Sequence, residues 1–147
     1  MIKHSAGILL YRNNLEVLLV HPGGPFWKGK ECYSIPKGEV EPGEDKFNTA
    51  KRELFEETGI ILVSETMFLG EFRQSNSKTI HIFAANQDFD PKDFVENWID
   101  IEYPQGTGDY ISIPEIDEAK WFDISDAKKV CHKGQIQVLN ELEKKLK

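Results

Sequence analysis

Glu53, Glu56 and Glu57 crowd into about one helical turn of the stretch GEVEPGEDKFNTAKRELFEETGI, which runs from Gly38 to Ile60. Positions i, i+3 and i+4 of a helix share a face, so the three carboxylates point the same way and repel one another. A cation removes that penalty. Clustered carboxylate oxygens suit a hard divalent ion such as Mg²⁺, which keeps several waters and takes phosphate oxygens as further ligands. A metal ion held beside a phosphoanhydride lowers the pKa of an attacking water, stabilises developing charge and orients the chain of phosphates. Arg52 adjoins the cluster, and Gly38, Gly43 and Gly59 punctuate its two ends.

The chemistry requires a rigid helix and a close partner. Residues Asp45 to Thr58 are predicted to form that helix, with Pro42-Gly43 as the turn before it and Gly59 as its C-cap. Phe47, Ala50 and Leu54 fall at i, i+3 and i+7 and give a core-facing stripe opposite the carboxylates. Strands are expected at Ile2–Tyr11 and Leu15–Val20, joined by a turn at Asn13-Asn14. Further strands are expected at Tyr33–Pro36, Ile60–Val63, Met67–Arg73, Thr79–Asn86 and Glu118–Phe122. His21–Lys30 reads as a loop. Asp88–Asp109 reads as a long acidic loop broken by Pro91, Pro104, Gly106 and Gly108, of the kind that carries function. Ser125 is the expected N-cap of a short helix, and Gly134–Leu146 reads as an amphipathic helix with Ile136, Leu139, Leu142 and Leu146 on one side. Strands around one central helix indicate an α/β domain with a mixed sheet between helices, one domain over residues 1–147.

The stretch from Gly38 matches the Nudix box G-x5-E-x7-R-E-U-x-E-E-x-G-U, with U aliphatic, at Gly38, Glu44, Arg52, Glu53, Leu54, Glu56, Glu57, Gly59 and Ile60. A chance match in a chain of this length has odds on the order of 10⁻⁷. The chain therefore resembles the Nudix hydrolases, which cleave nucleoside diphosphates linked to another group. AGILLYR, YSIPKGEVEPGED and PEIDEAKWF resemble stretches of bacterial Nudix proteins and of diadenosine polyphosphate hydrolases. The resemblance implies the Nudix fold, an α/β/α sandwich with the box as loop–helix–loop, and Mg²⁺ as cofactor with Mn²⁺ able to substitute. It also implies that Glu56 and Glu57 are metal ligands, that Glu53 is a ligand or the base that activates water, and that the Gly38 carbonyl supplies another ligand.

Arg52 reads as structural, a guanidinium that holds carboxylates in place, with Glu44 and Glu56 as its partners. Glu44 orients the site. Lys37 is the phosphate-binding candidate. Outside the box, Glu102 is the expected further metal ligand, with Asp100, Asp109 and Glu115 as rivals. Phe26, Trp27, Tyr33, Trp98, Tyr103 and Tyr110 could stack on a nucleobase, and Tyr103 and Tyr110 are the preferred pair. His81 reads as a packed histidine, Arg12 and Arg73 as surface cations, and Trp121 and Phe122 as core.

A net charge of −7 disfavours stable binding to long nucleic acid. No apolar run approaches the ~20 residues of a membrane span, no signal peptide is evident, and Cys32 and Cys131 read as reduced thiols, so a cytoplasmic location is expected. The expected partner is a small nucleotide: a nucleoside triphosphate or a dinucleoside polyphosphate, hydrolysed by a monomer or homodimer. Nucleotide sugars and the 5′ end of RNA are the alternative substrates. A non-catalytic nucleotide-sensing module is the alternative class.

Overall fold

Between Ser5 and Leu10 every residue of the first strand is buried, with no alternation. That pattern belongs to a strand covered on both faces. The computed structural model, which describes residues 1–147, places it there. The strands are β1 (Lys3–Arg12), β2 (Glu16–Pro22), β3 (Lys37–Glu39), β4 (Thr66–Ser75), β5 (Lys78–Asn86), β6 (Trp98–Glu102), β7 (Tyr110–Pro114) and β8 (Ile116–Asp123). The helices are α1 (Lys46–Thr58), α2 (Ile124–Val130) and α3 (Ile136–Lys145).

The main sheet has the order β4-β5-β1-β2-β8, with β3 added to β1. β1 runs parallel to β5 along its length, and every other pairing is antiparallel, so the sheet is mixed. The second edge of β1 is divided. Its end pairs with β2 at Tyr11↔Val17 and Arg12↔Glu16, and its beginning pairs with β3 at Ser5↔Glu39, Ala6↔Gly38 and Gly7↔Lys37. On one face Leu9, Val17, Leu19, Ile80 and Ile82 pack with Ala127, Val138, Leu139 and Leu142 of α2 and α3. On the other, Ala6, Ile8, Leu10, Leu18 and Val20 pack with Ala50 and Leu54 of α1. The result is an α/β/α sandwich. No helix is long and apolar enough to cross a membrane.

Several expectations give way. Ile60–Val63 is not a strand: the side chain of Gln87 accepts from the Val63 N–H and donates to the Ile61 carbonyl, doing the work a partner strand would do. Tyr33–Pro36 makes only isolated bridges to Val20 and Cys131, and the strand lies at Lys37–Glu39. The supposed loop Asp88–Asp109 contains β6 and, with β7, forms a separate two-stranded hairpin, whose turn takes Pro104, Gly106 and Gly108. The N-cap of α2 is Asp123, which accepts from the Ser125 N–H. The last helix starts at Ile136, after a 3₁₀ turn at Lys133–Gln135, and Val138 takes a core place while Leu146 lies exposed.

Gln135 fastens α3 to the sheet. It is 1% exposed, its Oε1 accepts from the Ile35 N–H at 2.9 Å, and its Nε2 donates to Ser34 Oγ and Gln74 Oε1. Gln135→Leu keeps the volume and leaves the buried Ile35 N–H without an acceptor, which costs roughly 1–3 kcal/mol. A urea titration should show a lower midpoint with an unchanged slope.

Candidate active site

The first turn of α1 is capped by Asp45, whose side chain accepts from the Asn48 N–H. Gly59 closes the helix at φ 83°, a left-handed conformation that favours glycine, and donates to the Phe55 carbonyl. Ala50 and Leu54 anchor the helix on the sheet and so turn Glu53 and Glu57 toward β3. There the approach is very close. A Cβ on Gly38 would stand 2.0 Å from the Glu53 carboxyl carbon. Gly38 therefore leaves the space that the Glu53 carboxylate fills.

One guanidinium ties three carboxylates. Arg52 Nε and Nη2 donate to the two oxygens of Glu44 at 2.9 and 3.0 Å, a bidentate pair. Its Nη1 donates to Glu53 Oε1 at 2.9 Å and to Glu56 Oε2 at 3.1 Å. Glu44 and Glu56 are the expected partners, and Glu53 is added to them. The Arg52 hydrogen bonds hold the Glu44 carboxyl down to about 2 and raise the pKa of Arg52 itself. Glu44 also accepts from the Glu41 N–H, so the loop before α1 is fixed to the helix through it.

Glu57 is outside that clamp. It is 7% exposed, and burial, reinforced by the like charges of Glu53 and Glu115, raises its pKa well above the usual carboxylate range. Burial likewise raises Glu53, against the pull of Arg52. The charge of Lys37 reaches Glu57 and opposes the rise there, and burial together with Lys78 pushes Lys37 down to about 8. Lys37 and Lys78 in turn add to the burial that lowers His132. Neither lysine takes part in an ion pair. The site thus holds an excess of carboxylate oxygens within electrostatic reach of Lys37. Hard oxygen donors, crowded at a cost in like-charge repulsion and cradled over a glycine, fit a hard divalent ion.

The structure does not bring Glu102 to this cluster. Its carboxylate accepts from the Gly106 and Gly108 N–H groups in the hairpin turn, which lowers its pKa. At the base of the same hairpin the Glu115 N–H donates to the Asn97 carbonyl, five residues and roughly 16 Å of strand away from Glu102. Glu115 is the outside carboxylate whose charge reaches Glu53 and Glu57. Sequence alone held it only as a rival. The signal that favours it is the W-I-D-I-E alternation of Trp98–Glu102, which makes β6 a strand and sends Glu102 to its far end.

Tyr103 and Tyr110, with Phe26, Ile101 and Pro104, line a cavity of ≈ 560 Å³ beside that turn. Of the other stacking candidates, Trp27 and Trp98 are exposed and Tyr33 donates to Glu118. Arg12 is engaged by Glu16 and Asp88 and lies 4.2 Å over the Trp121 ring, and Trp121 donates to the Phe89 carbonyl. Cys32 and Cys131 are free thiols, and burial pushes Cys131 up to about 11.

The model of the NUDIX domain matches residues 1–142. An RNA pyrophosphohydrolase of Caulobacter vibrioides is 40% identical over 60 residues, which are 36% of this chain and 35% of that protein. The chain thus spans about a third of that relative, and a quarter of another whose match is similarly short. Diphosphoinositol polyphosphate phosphohydrolase 3-alpha of Mus musculus is 29% identical over 135 residues, covering 89% of this chain and 71% of the relative. The crystal structure of a C. elegans Ap4A hydrolase binary complex superposes with a TM-score of 0.65 at 23% identity, over 99% of this chain and 98% of that one. This last likeness concerns the fold.

The raised pKa of Glu57 has a measurable sign. The folded chain binds a proton there that the unfolded chain has already lost, so stability falls as pH rises from the unfolded toward the folded pKa. In chelator at pH 8, Glu57→Gln should melt a few degrees above wild type, and the gap should close as pH falls. A variant that melts lower at pH 8 would mean that Glu57 is paired and stabilising.

Proposed function

Because the chain belongs to the NUDIX domain family, we propose that it is a pyrophosphohydrolase that cleaves a phosphoanhydride bond of a nucleoside triphosphate or dinucleoside polyphosphate. The observation that carries this reading is the complete set of box carboxylates in one place, over Gly38 and beside the Arg52 clamp. The family generally uses divalent metal ions, and Mg²⁺ is the ion this all-oxygen donor set favours, with Mn²⁺ able to substitute.

Glu56 and Glu57, with the Gly38 carbonyl and Glu115, would hold the ion. When bound, Mg²⁺ neutralises the cluster, polarises the phosphate and acidifies water. Arg52 fixes one oxygen of Glu53 and leaves the other to take a proton from the attacking water. Glu44 keeps Arg52 in place through its bidentate bond. Lys37 holds a phosphate of the substrate, supported by Lys78. The aromatic faces of Tyr103 and Tyr110 stack on the base, and their cavity accepts a ring. The names of the relatives widen the candidates to the 5′ end of RNA and to inositol pyrophosphates. The net charge of −7 weighs against long RNA.

A hydrolysis screen with Mg²⁺ over nucleoside triphosphates, dinucleoside polyphosphates, nucleotide sugars and 5′-triphosphorylated RNA tests the reading. Glu57→Gln should lower kcat about 10³-fold with an unchanged circular dichroism spectrum. Full turnover by that variant would remove Glu57 from the site, and nucleotide binding without turnover of any substrate would favour a sensing module. Glu115→Gln should raise the Mg²⁺ concentration needed for half-maximal rate about tenfold, whereas Glu102→Gln should leave it unchanged.

A further inference from the structure

Away from the carboxylate face, one more group of metal-ligating side chains converges. His81 lies on β5 directly opposite Glu71 of β4 and opposite Ala6 of β1. His4 stands two residues before Ala6, on the same face of β1, because side chains alternate with period two. The three side chains therefore meet across three adjacent strands. His4 Nδ1 is 3.0 Å from His81 Nε2, and His81 Nε2 is 3.6 Å from Glu71 Oε1. One ligand atom from each residue lies within 4.8 Å of the other two.

Two donors bonded to one ion at about 2.0–2.1 Å in tetrahedral directions stand roughly 3.3–3.5 Å apart. The observed separations bracket that value, so modest side-chain rotations suffice. His81 is 3% exposed and fixed by its strand, while His4 and Glu71 are exposed and free to adjust. Their exposure leaves the remaining coordination positions toward solvent.

We propose that His4, Glu71 and His81 form a second metal site, a two-histidine, one-carboxylate set that takes a Zn²⁺-class transition ion. The donor chemistry separates it from the carboxylate site. Imidazole nitrogens prefer Zn²⁺, Co²⁺ or Ni²⁺ over Mg²⁺, whereas an all-oxygen set suits Mg²⁺. Position separates it too. The triad lies near Lys46, the first residue of α1, and Glu53 is roughly 10 Å further along that helix. Lys46 opposes a cation there, and the Glu71 carboxylate offsets it. The bound ion ties β1, β5 and the edge strand β4 together. Without an ion, the same atoms make a histidine–histidine hydrogen bond flanked by a carboxylate, and the experiment must separate the two states.

Co²⁺ and Zn²⁺ are the probes, added to the intact chain in millimolar Mg²⁺ so that the carboxylate site is filled. Co²⁺ should bind one equivalent and give the visible absorption of nitrogen ligation, and Zn²⁺ should displace it and raise the melting temperature. His4→Ala and Glu71→Gln, both at exposed positions, should each weaken Zn²⁺ binding at least about tenfold. Glu53→Gln should leave it unchanged. The ¹⁵N resonances of His4 and His81 should shift on Zn²⁺ addition. Equal Zn²⁺ affinity in His4→Ala, or unshifted histidine resonances, would overturn the proposal and leave a hydrogen-bonded triad.

Discussion

The Arg52 guanidinium donates to Glu44, Glu53 and Glu56 at once, and the carboxylate face depends on that one cation. Like charges at helical spacing destabilise a helix, and their repulsion grows as water is excluded. The clamp answers both problems. It neutralises part of the charge, and it reaches back to Glu44 in the preceding loop, so that loop and helix are tied together. Glu57 lies beyond its reach. There the fold accepts a buried carboxylate whose charged form is disfavoured, with Glu53 and Glu115 adding to the penalty. On the proposed function a bound ion would remove that penalty, and the penalty would make the position of the ion specific.

That arrangement needs the helix to lie against a strand with nothing between. The divided edge of β1 supplies the strand. Because β2 pairs only with its end, its beginning is open to β3, and Gly38 comes to lie opposite Ala6. Ala6 is the small residue on the strand beneath, Ala50 and Leu54 set the height of α1, and Gly38 admits the Glu53 carboxylate. A larger side chain at Gly38 would meet the flexible end of Glu53 rather than backbone. The chain could fold with it, and the carboxylate would be the part displaced.

What the sequence shows and hides follows from the range of the interactions. The box is legible because its chemistry is local: Arg52, Glu53, Glu56 and Glu57 are placed by helical periodicity alone, and Glu44 by one turn of chain. The stripe of Ala50 and Leu54 and the Gly59 cap belong to the same short range. Ile60–Val63 looks like a strand because it is apolar, yet its hydrogen bonds go to the side chain of Gln87, a partner that no pattern reveals. The hairpin of β6 and β7 was obscured by the prolines and glycines of its own turn. Glu102 and Glu115 are alike in composition, and only the register of that hairpin puts one at the tip and the other at the base. Glu71 and His81 face each other across consecutive strands, whereas His4 comes from the start of the chain and joins them only through strand order.

Charge poses the remaining question, since the proposed substrate is a polyanion and the chain carries a net charge of −7. The answer lies in distribution rather than in total. The charges of Lys37 and Lys78 both reach His132, and burial together with Lys78 lowers the proton affinity of Lys37. Lys37, buried and beside Lys78, carries an electrostatic cost of the same kind as the one at Glu57, with the opposite sign, and the charges of Glu53 and Glu57 offset it only in part. In the proposed complex, a phosphate chain beside a divalent ion would relieve both. On that proposal the ion would answer the carboxylates and a phosphate would answer Lys37. On this proposal recognition rests on where the charges lie rather than on their total.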